Sequence, residues 1–159
     1  MSVGLHIAPE FPQALESVAE ARAWLDGVFA AERARGDGCD VCRLLLDELV
    51  ANAVIHGGSE VGVTVDVQDD VRVEVTNRGT HGVIEPIPYQ RGEPAAHFGL
   101  HLVHGLSTSW GVLRDTGDTT VWFELPHPGR VTEAGSRPRN IEQRAGGSDK
   151  SQSSSSKVP

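Results

Sequence analysis

"LLLDELVANAVIHGG", residues 44–58, is apolar on nearly every side yet carries Glu48, Asn52 and His56 at intervals of four. In an α-helix a step of four residues turns by about 40°, so the three side chains fall within an arc of about 80° and share one face. The remaining polar residue before Ile55 is Asp47, about 100° away from Glu48, which gives it a structural role. A helix this apolar is covered by its neighbours, and polar groups on a covered helix need partners. Glu and His are common on solvated helix faces, and that is the simplest account of those two. Asn52 is a poor helix former in mid-helix between a carboxylate and an imidazole, and it asks for a function.

Working outward toward the N-terminus, Ala14, Val18, Ala21, Leu25 and Val28 step by 4, 3, 4 and 3, with Leu15 and Phe29 beside them. This spacing predicts a helix from about Pro12 to Ala31 that lays an apolar stripe on a core. "RARGDGCD", residues 33–40, reads as a loop, with Asp37 or Asp40 as the expected N-cap of the second helix and Gly57-Gly58 as its end.

Working outward toward the C-terminus, the period changes to two. Val61, Val63, Val65 and Val67, then Val71, Val73 and Val75, alternate with Gly62, Thr64, Asp66, Arg72, Glu74 and Thr76, joined through "QDD" at 68–70: an antiparallel hairpin. Residues from about Arg78 to Ala96 contain Pro86, Pro88 and Pro94 and show no sustained period, so they read as a long loop of the kind that often serves as a lid. "GLHLVHGL" (99–106) reads as a short helix, and "WGVLRD" (110–115) and "TTVWFEL" (119–125) flank "TGD" as a second hairpin. After Pro126 the composition turns to Gly, Ser, Arg and Glu and ends in "GGSDKSQSSSSKVP", which buries too little apolar area to offset chain entropy. The expected organisation is one domain over 1–126 and a disordered polar tail over 127–159. Its expected fold class is α/β, a two-layer sandwich with helices on one face of a mixed, mostly antiparallel sheet. No internal repeat is present.

Composition narrows the function. A chain of 159 residues with 38% hydrophobic content supplies one modest core. Lys and Arg number 14 against 22 Asp and Glu, a formal charge of −8 that disfavours nucleic acid as a partner. No apolar run approaches a membrane span and the N-terminus lacks the pattern of a signal peptide, so no membrane partner and a cytoplasmic location are expected. Cys39 and Cys42 form a lone C-x-x-C without a second pair or a βαβ context, and read as packing residues. His97, His101 and His104 have the spacing of a metal-binding helix, but Gly99 weakens such a helix and no acidic residue is in register. The simpler reading is a short helix with His101 and His104 toward solvent.

"ELVANAVIHGG" (48–58) resembles the N-box of the GHKL ATPases, which have the Bergerat-type ATP-binding fold, and among them the anti-sigma-factor serine kinases, whose helix reads Glu, three residues, Asn, three residues, His-Gly. The order of elements is similar too, with two leading helices, a lid, "HFGLHLVHGL" before a Trp-Gly strand and "TTVWFEL" at the end, so the likeness spans about Phe11 to Leu125. The resemblance implies ATP and Mg²⁺ as cofactors, Asn52 as the Mg²⁺ ligand and Glu48 as the general base. It implies His56, Asn77, Gly79, Gly99 and Leu100 as nucleotide contacts. Magnesium often takes one or two protein oxygens and leaves the rest to phosphate and water, which suits a single Asn. The implied partners are a sigma factor and an anti-anti-sigma protein of the STAS type, with room for a homodimer, and the implied activity is that of a serine/threonine protein kinase.

Two motifs depart from the family pattern. Where it has Asp-x-Gly-x-Gly this chain has Asn77-Arg78-Gly79, exchanging an acceptor carboxylate for an amide that both accepts and donates. Where it has Gly-x-Gly this chain has His97-Phe98-Gly99. A second reading therefore stands beside the first: a non-catalytic protein-binding module on the same fold, with weak or lost nucleotide binding.

Overall fold

The computed structural model describes residues 4–78 and 98–129. Along the chain run β1 (Leu5–Ile7), α1 (Glu16–Ala31), α2 (Asp37–His56), β2 (Val61–Val67), β3 (Asp70–Asn77), α3 (Phe98–Leu106), β4 (Ser109–Asp115) and β5 (Asp118–Pro126). The strands form one sheet in the order β1-β2-β3-β5-β4. Every pairing among the described residues is antiparallel, so the expected mixed sheet is antiparallel throughout. The reason is the placement of β5: it inserts between β3 and β4, which run in the same direction but never touch as neighbours.

Register follows the valine alternation. Val63 faces Val75, Val65 faces Val73 and Val67 faces Val71, so the inward residues of β2 and β3 meet as pairs, and all of them are buried. The β2–β3 turn is Gln68-Asp69-Asp70, between the paired Val67 and Val71, and Asp70 also pairs with Pro126 of β5. In the second hairpin Thr116 and Gly117 both have positive φ, 31° and 94°, as a two-residue primed turn requires.

The helices cover the valine face. Leu25, Leu45, Leu46 and Val50 from α1 and α2 close on Phe123, Val65 and Val73, all fully buried. A bidentate Arg22–Asp47 pair at 2.6 and 3.0 Å ties α1 to α2, which is the work Asp47 does. Cys39 and Cys42 are buried, and burial pushes the Cys42 thiol up to about 12. A thiol so hard to ionise is a packing group, not a nucleophile.

The elements differ from the sequence expectations in four places. Helix α1 begins at Glu16 instead of Pro12, because Phe11 is held extended by reciprocal hydrogen bonds with Val61; Leu15 is consequently left exposed. Neither Asp37 nor Asp40 caps α2: Gly36 is the N-cap at φ 111°, and both aspartates sit inside the first turn, where their charge meets the positive end of the helix dipole. Strand β1, too short to show a period, pairs with β2 at the sheet edge. His101 is half-buried instead of facing solvent, whereas His104 is exposed as expected and accepts a hydrogen bond from Trp110 Nε1 at 3.1 Å. The expected lid and Gly79 lie outside the described residues, as do residues 130–159 of the expected tail. Pro128, two residues past the expected boundary, is buried and packs beside Gly38 of α2.

Candidate functional site

The strands' inward positions are valines until their ends. On β3 the sequence Val71, Val73, Val75 gives way to Asn77, and on β5 the set Val121, Phe123, Leu125 is preceded by Thr119; the two polar residues are Cα partners across the β3–β5 pair. Both are buried, Asn77 at 2% and Thr119 at 3% exposure. Among the described residues neither the Oδ1 nor the Nδ2 of Asn77 has a hydrogen-bond partner. Leaving each such group unpaired costs about 1–3 kcal/mol, in a position where valine would continue the core. Such an expense marks a place kept for something else.

A small cavity lies against this amide, lined by Leu49, Asn52 and Ala53 of α2, Val75 and Asn77 of β3, Leu100 of α3, and Thr119 and Val121 of β5. Its polar members, Asn52, Asn77 and Thr119, are all uncharged, and its walls are aliphatic. That is a lining suited to the flat apolar faces and hydrogen-bonding edge of a heterocyclic base.

Gly57, at the end of α2, packs against Asn77. Its backbone is ordinary, φ −79° and ψ 164°, so no left-handed conformation requires glycine. Close approach does: a Cβ there would lie 2.1 Å from the Ala53 carbonyl oxygen and 2.7 Å from Asn77 Oδ1. The end of α2 is closed from outside by Gln13, whose Nε2 donates to the carbonyls of Val54 at 3.0 Å and Gly57 at 2.5 Å. At the end of β3, Arg78 lies 2.5 Å from Glu10. Its charge, after a hydrogen bond from Glu60, holds the Glu10 carboxyl below the usual range, while the same contact with Glu10 raises that of Glu60.

Of the residues singled out from the sequence, the cavity gathers Asn52, Asn77 and Leu100. Glu48 and His56 do not line it: Glu48 is half-buried one turn before Asn52, and His56 is exposed in the last turn of α2. Gly99 is part of α3. Leu49, Ala53, Val75, Thr119 and Val121 were missed. For Thr119 a signal existed, since it breaks the inward parity of β5 as Asn77 breaks that of β3. Among the described residues no three His, Cys, Asp or Glu side chains converge to hold a metal. The amide oxygen of Asn52 nevertheless fits a hard cation that takes most of its ligands from phosphate and water.

Residues 11–125 match the family described as the histidine kinase-like ATPase domain, and the chain belongs to that family. Among solved structures it is similar to the crystal structure of the RsbU and RsbW domains of Rv1364c from Mycobacterium tuberculosis, with a TM-score of 0.59 at 18% identity. That likeness covers 77% of this chain but only 32% of the other, so this chain spans about a third of that protein's length and shares its fold over that part. No curated protein matches the chain. Among the described residues no helix is long and apolar enough to cross a membrane.

Proposed function

We propose that this chain is a cytoplasmic, ATP-binding regulator of the anti-sigma type, which binds a sigma factor and phosphorylates a serine or threonine of an anti-anti-sigma partner. The observation that carries the nucleotide part is the buried, partnerless amide of Asn77 facing a cavity shared with Asn52, in a chain of an ATPase family. Asn77 and Thr119 would hold the edge of the base, Leu49, Val75, Leu100 and Val121 would cover its faces, and Asn52 would offer its amide oxygen to Mg²⁺. His56, Gly79 and Gly99 belong to the same nucleotide site. Bound Mg-ATP supplies the phosphoryl group together with the cation that offsets its charge. Glu48, on the same helical face one turn away, takes the proton of the attacking hydroxyl.

The two helix residues separate catalysis from binding. Removing a base spares the ground state, whereas removing a metal ligand weakens nucleotide binding itself. Calorimetry on the wild type should give a dissociation constant for Mg-ATP in the micromolar to millimolar range, about −8 to −4 kcal/mol. Glu48→Ala should keep that affinity within a few fold and lose about 10² or more in phosphoryl transfer. Asn52→Ala should lose Mg-dependent binding and turnover together. A wild type that binds a sigma factor, transfers no phosphoryl group and tolerates both substitutions would instead establish the non-catalytic module, a reading favoured by the amide at position 77.

A further inference from the structure

We infer that Asn77 makes this site accept 6-oxopurine nucleotides about as well as adenine nucleotides, an inference that rests on the nucleotide-binding reading above. A primary amide presents one acceptor and one donor side by side. Adenine presents the complement in one order, its N6 amino group donating beside an accepting ring nitrogen, and an Asn side chain pairs with that edge through two hydrogen bonds. Hypoxanthine presents the opposite order, an accepting O6 beside a donating N1–H. An amide matches either edge by turning 180° about its terminal torsion.

What fixes that torsion elsewhere in proteins is a hydrogen bond to one of the two amide atoms. Among the described residues Asn77 has none at Oδ1 and none at Nδ2, although it is 2% exposed. Among the described residues no charged side chain lines the cavity to favour donor over acceptor, and the Thr119 hydroxyl across the strand pair turns to suit either. On the side of Oδ1 the neighbour is Gly57, which packs closely against the amide and offers it no side-chain donor that would fix the torsion. A carboxylate in the same position would only accept: it would pair with the adenine amino group and repel O6. The amide therefore sets the breadth of the site's base specificity.

The test is calorimetric titration of the whole chain with Mg-ATP, Mg-ITP and the Mg complex of purine riboside triphosphate, which has no substituent at position 6. ATP and ITP should bind within about threefold of each other, and purine riboside triphosphate about tenfold or more weaker, the scale of one lost partner in a paired edge. Asn77→Asp should retain ATP and weaken ITP relative to ATP by at least about tenfold. ITP binding tenfold or more below ATP in the wild type would overturn the inference while leaving nucleotide binding intact. So would purine riboside triphosphate binding as well as ATP, since the amide would then not be reading the edge. Binding of none of the three would remove the nucleotide reading together with this inference. The wild-type series decides the question even if the variant does not fold.

Discussion

The two faces of the sheet treat polar residues in opposite ways. On the outer face Arg72 lies 3.9 Å over the ring of Trp122 and reaches Glu74 at 2.7 Å and Glu124 at 3.0 Å. Burial works against its charge, yet the hydrogen bonds with both glutamates raise its pKa above the ordinary value. Thr76 and Thr120 share a hydrogen bond at 2.8 Å in the same layer, and the Ser109 hydroxyl donates to Glu124. Every polar group in that outer set finds its partner within the protein. On the inner face, one residue further along β3, Asn77 is more deeply buried and has no hydrogen-bond partner among the described residues. The outer arrangement is complete without a ligand and therefore structural. The inner one is complete only when something else supplies the missing hydrogen bonds, which is how a binding site differs physically from a polar cluster.

The severest challenge to this contrast is Gly57→Ala. The added Cβ meets the Ala53 carbonyl at 2.1 Å and Asn77 Oδ1 at 2.7 Å, so urea unfolding should show a loss of about 3 kcal/mol or more. A loss under about 1 kcal/mol would mean that the end of α2 yields easily and that the amide is not enclosed as described.

Asn77→Leu, which keeps a similar branched shape, should act with the opposite sign. Removing two unpaired buried groups should stabilise the ligand-free protein by about 1–3 kcal/mol while abolishing Mg-ATP binding. Destabilisation in the absence of nucleotide would show that the amide is already satisfied, and the comparison of faces would collapse.

Arg72→Ala should cost about 1 kcal/mol, from the ring contact and two ion pairs discounted for partial exposure, with Mg-ATP affinity unchanged. A change in affinity would mean that the outer face communicates with the site. The smallest effect is expected at Gln13, a second primary amide but one whose nitrogen is fully used by the carbonyls of Val54 and Gly57. Gln13→Ala should lower stability by about 0.5–1 kcal/mol, visible as a modest drop in Tm, in contrast to the gain expected at Asn77.

Much of this molecule can be read from local pattern. The α2 face of Glu48, Asn52 and His56, the valine alternation of β2 and β3, the second hairpin and the short α3 all follow from periods of 3.6 and 2, which report how side chains partition between core and solvent within a few residues of each other. Tertiary structure alone decided what those patterns add up to. Only the insertion of β5 beside β3 sets Thr119 against Asn77, and only the packing of α2 on the sheet brings Asn52 to the cavity while leaving Glu48 and His56 off its lining. The same packing presses Gly57 against Asn77, and the pairing of Phe11 with Val61 delays α1 by a turn. Strand order and helix docking are contacts between residues distant in sequence, and periodicity carries no information about which distant partner a face will meet. The isolation of the Asn77 amide, the property that marks it as a site, is a fact about the absence of such partners and exists only in the folded chain.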